Sequence, residues 1–326
     1  MQIRLATWNL HTPPFAPRRS QRLRAAARHL RDGPDPKPDL LLFQEVWSET
    51  FWKELGQALS PDSAPSLPGE GAGTAARSGL ASFVRRDSGW RVEAHRFERF
   101  HSKGPPWRIW EGDGLADKGF EIVELQREGL PLSLLNTHLQ AQYPPRHYTD
   151  VRRRQIAQIR QAVARIPDSQ LLLAGGDWNT TPRGALYPEL TAFLQDLTAA
   201  YRERCACGTF VAKAGEGAWL DYLFSRPSRH WQLHVEGVER IESQAPDQPF
   251  SDHHGLVAEL RVEQRGKASA LLPLCAATLH GPSTRRAWSL AALAGLLAMG
   301  GKGLAGSLWA GLCVSRLRAP RDPWYK

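Results

Sequence analysis

Cysteine is scarce, with four in 326 residues. Only Cys205 and Cys207 are close neighbours. A C-x-C with no second pair nearby lacks the ligand spacing of a structural zinc site, so the reading is free thiols in a reducing compartment. The first residues, MQIRLATWNL, have no basic segment followed by an apolar one and already alternate like a strand. With no leader of that kind, the body is expected on the cytoplasmic side. No internal repeat is present, which sets aside repeat architectures. No serine or cysteine stands in a nucleophile context, which argues against a covalent intermediate. Residues 1–265 also lack a basic excess, with 34 Lys and Arg against 32 Asp and Glu. A surface built to neutralise many nucleic-acid phosphates would be more basic, so nucleic acid is the less favoured partner.

What is present is an ordinary globular composition, 42% hydrophobic and 23% charged, long enough for one large domain with an appendage. Tryptophan is abundant, at twelve, and several lie in loop-like contexts that suit a ligand or a membrane interface. Residues 3–8 read as a strand. Residues 18–31 (RRSQRLRAAARHLR) have helical spacing, with Leu23, Ala26, Ala27 and Leu30 on one face. Residues 39–43 form a buried strand. Ser48 caps a helix running to about Leu59, and 60–77, rich in Pro, Gly, Ser and Ala, form a long loop. Strands follow at 79–84, 90–97, 120–126 and 132–137, with an aromatic, glycine-rich insertion at 101–119. A helix over 147–166 precedes a strand at 170–174, and strands at 219–224, 231–238 and 255–262 close the body. Strands interleaved with a few helices imply an α+β sandwich of sheets flanked by helices.

The tail differs in kind. Residues 266–326 carry eight basic residues against one acidic. Residues 264–286 read as a linker with a short apolar segment. Residues 287–314 contain one charge, Lys302, and 287–326 read as a hydrophobic, helical, membrane-associating tail; a spanning helix needs about 20 apolar residues. Three states stay open. One is a tilted span that buries Lys302 at about 2.5–3.5 kcal/mol. The others are a hairpin turning at 300–303 and an interfacial or core helix pair. Gly303, Ser307 and Gly311 recur at a spacing that allows close helix contact, and Arg316, Arg318 and Arg321 suit anionic headgroups.

Several strand ends share one pattern: an apolar run stops and polar or ionisable residues follow at once. They are TWN (Asn9), FQEVW (Glu45), NTHLQA (Asn136, His138) and GGDWN (Asp177, Asn179). FSDHH (Asp252, His253) lies just before the last strand, and LDYLF places Asp221 in another. Any one of these suits a cap or turn. Together they put histidines, carboxylates and amides where a rigid scaffold can gather them. Glu45 and Asp252 are hard oxygen donors suited to magnesium, with manganese as an alternative. His253 beside a carboxylate suits a general base, with Asp221 to hold its tautomer. Asp177 and Asn179 can hold a water and a phosphate oxygen, and His138 can face charge on the other side. The chemistry is metal-assisted phosphodiester hydrolysis by water.

In this order TWN, QE, NTHL, GDWN, LDY and SDH resemble the endonuclease/exonuclease/phosphatase superfamily over about residues 1–263. The resemblance implies a four-layer, DNase-I-like α/β/β/α sandwich. It implies a metal at Glu45, with Asn9 and Asp252 close by, and phosphate contacts from Asn9, His138 and Asn179. It implies His253 as base, oriented by Asp221, and Asp177 and Asn179 flanking the nucleophile. Trp178 departs from the usual Leu or Phe between that Asp and Asn, and is expected to pack below the site. LADKGFEIVEL, NTHLQAQY with the basic RRRQ that follows, and FQEVW are similar to neutral sphingomyelinases. That implies hydrolysis of sphingomyelin, or a related phosphocholine lipid, to phosphocholine and a lipid alcohol at a membrane surface. Trp107 and Trp110, in the insertion, are the expected membrane contacts. A nuclease or nucleotide phosphodiesterase, and a phosphoinositide phosphatase, are the alternatives the same catalytic set allows.

Overall fold

The apolar runs pair into two six-stranded sheets. The computed structural model describes residues 1–266 apart from 14–15, 34–36, 61, 66–76, 109–110, 112, 206, 212–216 and 243–249. The tail expected at 287–326, nearly all of the linker before it, and Trp110 therefore lie outside the described residues. No helix among the described residues is long and apolar enough to cross a membrane.

The first sheet has the order β11(Trp231–Ile241), β12(Gly255–Gln264), β1(Gln2–Asn9), β2(Leu40–Gln44), β4(Ala81–Arg85), β3(Ser63–Pro65). The second runs β5(Arg91–Arg99), β6(Gly119–Arg127), β7(Leu130–His138), β8(Leu171–Asp177), β10(Asp221–Arg226), β9(Gln195–Asp196). Each sheet is mixed. Its centre is one parallel pair, β1 with β2 and β7 with β8, and its other pairings are antiparallel.

Side-chain alternation sorts the layers. Leu5, Leu40 and Leu42 face inward and share a core with Leu134, Leu173 and Leu223 of the second sheet. Ala6, Trp8, Leu41 and Phe43 face outward, onto α1(Arg19–Asp32) and α2(Glu49–Leu59). Helix α1 buries Leu23, Ala26, Ala27 and Leu30, the face its spacing predicts. Helix α2 starts where Ser48 accepts the Phe51 N–H at 3.1 Å, satisfying an otherwise orphaned donor. On the far side α3(Thr149–Ala164) buries Ile156, Ile159, Ala162 and Val163 against the second sheet. The order is thus helix, sheet, sheet, helix.

Three local readings change. The strand expected to stop at Ala174 continues to Asp177. The long loop at 60–77 contains the short strand β3, and β9 with two short helices, α4(Tyr187–Thr191) and α5(Ala199–Cys205), escaped the pattern. Such segments are too short to show a period. Cys205 and Cys207, expected as free thiols, turn their sulfurs toward one another, with their Cα atoms 5.2 Å apart.

Candidate active site

The pairing rules explain why distant residues meet. Parallel neighbours end on the same side, so Asn9 lies in register with Gln44, and His138 with Asp177. Antiparallel β10 starts where β8 stops, placing Asp221 opposite Asp177. β12 starts beside the end of β1, so Asp252 and His253 enter at the same rim. Packing of the two sheets then brings both rims together.

Asn9, fully buried, spans them. Its Nδ2 donates to Glu45 Oε1 and to Asp177 Oδ2, each at 3.1 Å. The Asp177 carboxylate accepts the Asn179 backbone N–H at 2.9 Å and lies 3.5 Å from His138 Nε2 and 3.7 Å from His253 Nε2. His253 Nδ1 is 2.7 Å from Asp221 Oδ2, and both side chains are buried. Asn179 Nδ2 donates to the Leu139 carbonyl at 3.1 Å. The structure therefore brings Asn9, Glu45, His138, Asp177, Asn179, Asp221, Asp252 and His253 into one connected cluster, with Asp252 joined through His11. Trp107 stands apart from it, 72% exposed. Trp178 is buried below the rim with its ring edge-on to Phe224, centroids 5.1 Å apart.

Glu45, His11 and Asn179 carry positive φ of 62°, 46° and 45°. Non-glycine residues take that region at a cost, and such strain clusters at functional sites. Trp8 Nε1 holds the His253 carbonyl at 2.9 Å, and Ser251 Oγ accepts the His253 N–H at 3.1 Å. His253 is thereby fixed from its backbone as well as its ring.

The electrostatics divide the cluster. Burial disfavours a charged His253, but the fields of Asp221, Asp177 and Asp252 and the Asp221 hydrogen bond outweigh it and raise its pKa well above the usual histidine value. With Nδ1 donating to Asp221, Nε2 is the ring nitrogen left for proton transfer. Burial, then the nearby Lys118 ammonium, pushes His138 well below the usual value. Burial and the neighbouring Asp221 push the Asp177 carboxyl up to about 7. Burial opposes ionisation of Glu45 too, yet the His11 hydrogen bond and the fields of His138 and His11 hold it below the usual carboxylate range.

Sequence reasoning missed three contributors, Lys118, His11 and Gln44, and gave a fourth, Asn136, no role. Lys118, buried, binds Asp113 at 2.8 Å, the Leu139 carbonyl at 2.9 Å and His138 Nε2 at 3.1 Å. An ammonium only donates, so His138 Nε2 accepts and the ring proton sits on Nδ1, which has no partner among the described residues. The Asp-Lys-Gly segment at 117–119 was the available signal. His11 Nδ1 lies 3.1 Å from Asp252 Oδ2 and 3.6 Å from Glu45 Oε2; its only signal was a histidine two residues beyond Asn9. Gln44 and Asn136, joined at 2.8 Å, cross from one sheet to the other.

Two places suit a cation. The ligand atoms of Asp177, Asp221 and His253 all lie within 4.8 Å of one another, but the His253–Asp221 hydrogen bond already uses one atom of each. Glu45, Asn9 and Asp252 form the second. Glu45 and Asp252 repel, each disfavouring the other's charge, and a bound dication relieves that repulsion. Hard oxygens with room for water fit a divalent ion.

The fold and this rim define a class, metal-dependent hydrolases of phosphodiester bonds. The model of the endonuclease/exonuclease/phosphatase family matches residues 6–253, and the chain belongs to that family. Sphingomyelin phosphodiesterase 2 of Mus musculus is 27% identical over 252 residues, 69% of this chain and 57% of the mouse protein. The protein of the same name from Homo sapiens is 25% identical over 315 residues, 87% of this chain and 69% of the human one. The chain thus spans somewhat over half the length of the mouse relative. Among solved structures, TDP2 of D. rerio complexed with a single-strand DNA product superposes with a TM-score of 0.62 at 15% identity. That match covers 80% of this chain and 99% of the other, and shows the shared fold.

Proposed function

We propose that this chain is a magnesium-dependent phosphodiesterase of sphingomyelinase type, releasing phosphocholine from sphingomyelin or a related phosphocholine lipid. The observation that carries the reading is the connected rim of Asn9, Glu45, Asp177, Asp221 and His253, on a chain 25–27% identical to two proteins named sphingomyelin phosphodiesterase 2. Nε2 of His253 takes a proton from water while Nδ1 stays on Asp221. Asp177 and Asn179 hold that water against phosphorus, and water rather than a side chain forms the new P–O bond. Lys118, ion-paired with Asp113, donates to His138 Nε2 and fixes that ring beside the phosphoryl oxygens. A metal held by Glu45, Asn9 and Asp252 supplies neutralisation of the phosphoryl and leaving-group charge when bound.

The membrane is the proposed partner, and its cytoplasmic side the proposed location. Trp107 and Leu115, 72% and 60% exposed, lie on the same insertion before β6 and suit an interface. The proposed domain organisation is a catalytic domain at 1–263, a linker at 264–286 and a membrane-associating tail at 287–326. The deciding experiment offers sphingomyelin in mixed vesicles with Mg2+ beside plasmid DNA in the same buffer. Chelator and His253→Ala controls run with each. Phosphocholine release that needs both metal and His253, with DNA intact, is the expected result. Cut DNA with intact lipid refutes the lipid reading and favours the nuclease alternative.

A further inference from the structure

We propose that the cavity between α3 and the base of the insertion binds the phosphate headgroup of an anionic phospholipid lying in the same bilayer as the substrate. The inference rests on the membrane reading above, and goes beyond it in naming a second lipid and the place that receives it.

The cavity is the first argument. It has a volume of about 350 Å³ and is lined by His101, Ser102, Arg154, Ala157, Gln158 and Gln161. A site of that size holds a small ligand. Its walls are fixed. Gln158 accepts the His101 N–H at 3.1 Å and donates to the Arg99 carbonyl at 2.9 Å. Gln155, buried on α3, donates to the Ser102 carbonyl at 2.9 Å. The Gln158 amide is thereby used. The side chains of His101, Ser102, Arg154 and Gln161 keep no hydrogen-bond or ion-pair partner among the described residues.

Charge is the second. Residues 1–265 are nearly neutral overall, yet residues 149–165 hold five arginines and a single acid, Asp150. Arg152 is buried on the Gln140 carbonyl at 3.1 Å. Arg153 pairs with Asp150 at 2.8 Å and with Glu189 at 2.9 Å. Arg154, Arg160 and Arg165 are exposed, with no ion pair among the described residues. Arg154, Gln158, Gln161 and Arg165 recur at the spacing of one helix face. A guanidinium with its donors uncommitted grips two oxygens of a phosphate at once, and a hydroxyl and an amide beside it suit the remaining ones. The basic RRRQ run, which the catalytic rim leaves unused, thus supplies both the cation, Arg154, and the staple, Gln155.

Position is the third. Arg99 at the end of β5 pairs with Gly119, and Phe120 pairs with Thr137, next to His138. The cavity wall and the insertion therefore spring from the end of the sheet that carries the catalytic rim. The same insertion carries the exposed Trp107 and Leu115. A bilayer that meets these two side chains presents its neighbouring headgroups at that end of the molecule. There each basic side chain strengthens binding to an anionic surface by about fivefold.

The test uses the full chain and reads vesicle binding by sedimentation. The vesicles are phosphatidylcholine with and without phosphatidylserine, and contain no sphingomyelin, so the outcome does not depend on hydrolysis. Charges elsewhere, including those of residues 266–326, are the same in every variant and cancel in the comparison. Arg154→Gln removes the cation. Ala157→Gln narrows the cavity with charge unchanged and a good helix former in place. Each should weaken binding to the anionic vesicles by about fivefold or more, and leave binding to the neutral vesicles and urea unfolding unchanged. Wild type that binds both vesicles equally overturns the proposal. Anionic binding that either variant leaves at the wild-type level also overturns it, because the attraction is then diffuse or lies elsewhere. Plasmid DNA that displaces the vesicles, and loses more affinity than they do in Arg154→Gln, assigns the face to nucleic acid and overturns the lipid assignment. Anionic binding lost in both variants, in a wild type that hydrolyses no phosphocholine lipid, keeps this site and refutes the function proposed above.

Discussion

Asp221→Asn separates a positioned base from a mere cluster of charges. The Asp221 carboxylate sits 2.7 Å from His253 Nδ1, with both side chains nearly sealed from water at 0% and 6% exposure. A hydrogen bond to a charged group in such a place contributes about 1.5–3 kcal/mol, or about 1–2 pH units at 1.36 kcal/mol per unit. The sign follows from the charge state. Asp221 stabilises the imidazolium, so the wild-type base stays protonated to higher pH and activity falls early on acidification. Without that charge the imidazole gives up its proton more readily, and the acidic limb of kcat/KM moves to lower pH. Part of the effect is cushioned, because the field of Asp221 also holds Asp177 up. Its removal lets Asp177 ionise and return negative charge to His253. A shift of about one unit is therefore the expectation. The plateau should meanwhile drop by about 10²–10⁴-fold, the usual contribution of a correctly held base, because an amide no longer enforces the Nδ1–H tautomer. The assay is phosphocholine release across pH, with NMR titration of the His253 ring as a readout that needs no turnover. An acidic limb that stays put or moves upward, with the plateau within about threefold of wild type, would refute the role assigned to the pair.

Four further outcomes rest on packing and buried hydrogen bonds. Gly176→Ala should destabilise by about 3 kcal/mol or more in urea unfolding, since a Cβ there meets the Thr137 carbonyl at 2.0 Å and φ is +144°. Gly175→Ala should cost less, about 1–3 kcal/mol, because the Cβ meets the ends of Leu42 and Leu223, which can shift. Asn136→Leu should cost about 2–4 kcal/mol, as it strips a partner from buried Glu121 at 3.0 Å, from Gln44 at 2.8 Å and from the Phe43 carbonyl at 3.1 Å. Trp178→Ala should cost about 3–5 kcal/mol, because the side chain is fully buried against Phe224.

The site was legible where chemistry is written locally. A carboxylate or histidine that ends an apolar run is visible without knowing its neighbours, and Asn9, Glu45, His138, Asp177 and His253 all announced themselves so. Parallel pairing within each sheet then did the gathering. The residues that escaped act across sequence. Lys118 is indistinguishable from a surface lysine until β6 and β7 pair and set it against His138, and Asp113 and Leu139 have compensated its charge. Gln44 and Asn136 read as strand-end polars, but their amides meet between the sheets, a contact 92 residues apart in sequence. The glycine pair before Asp177 shows the same limit. Two glycines after an apolar run suggest a turn, because glycine is the usual turn residue. Here they remain in the strand. At 175 the facing sheet, through Leu42 and Thr7, comes too close for a side chain, and at 176 the backbone of β7 does. Glycine at 175 is what lets the two sheets approach closely enough for Asn9 to reach Glu45 and Asp177 with a single amide, while glycine at 176 lets β8 lie against β7 within its own sheet. The spacing between the two rims is thus set by the absence of one side chain directly beneath them, and the register of His138 with Asp177 by the absence of the other.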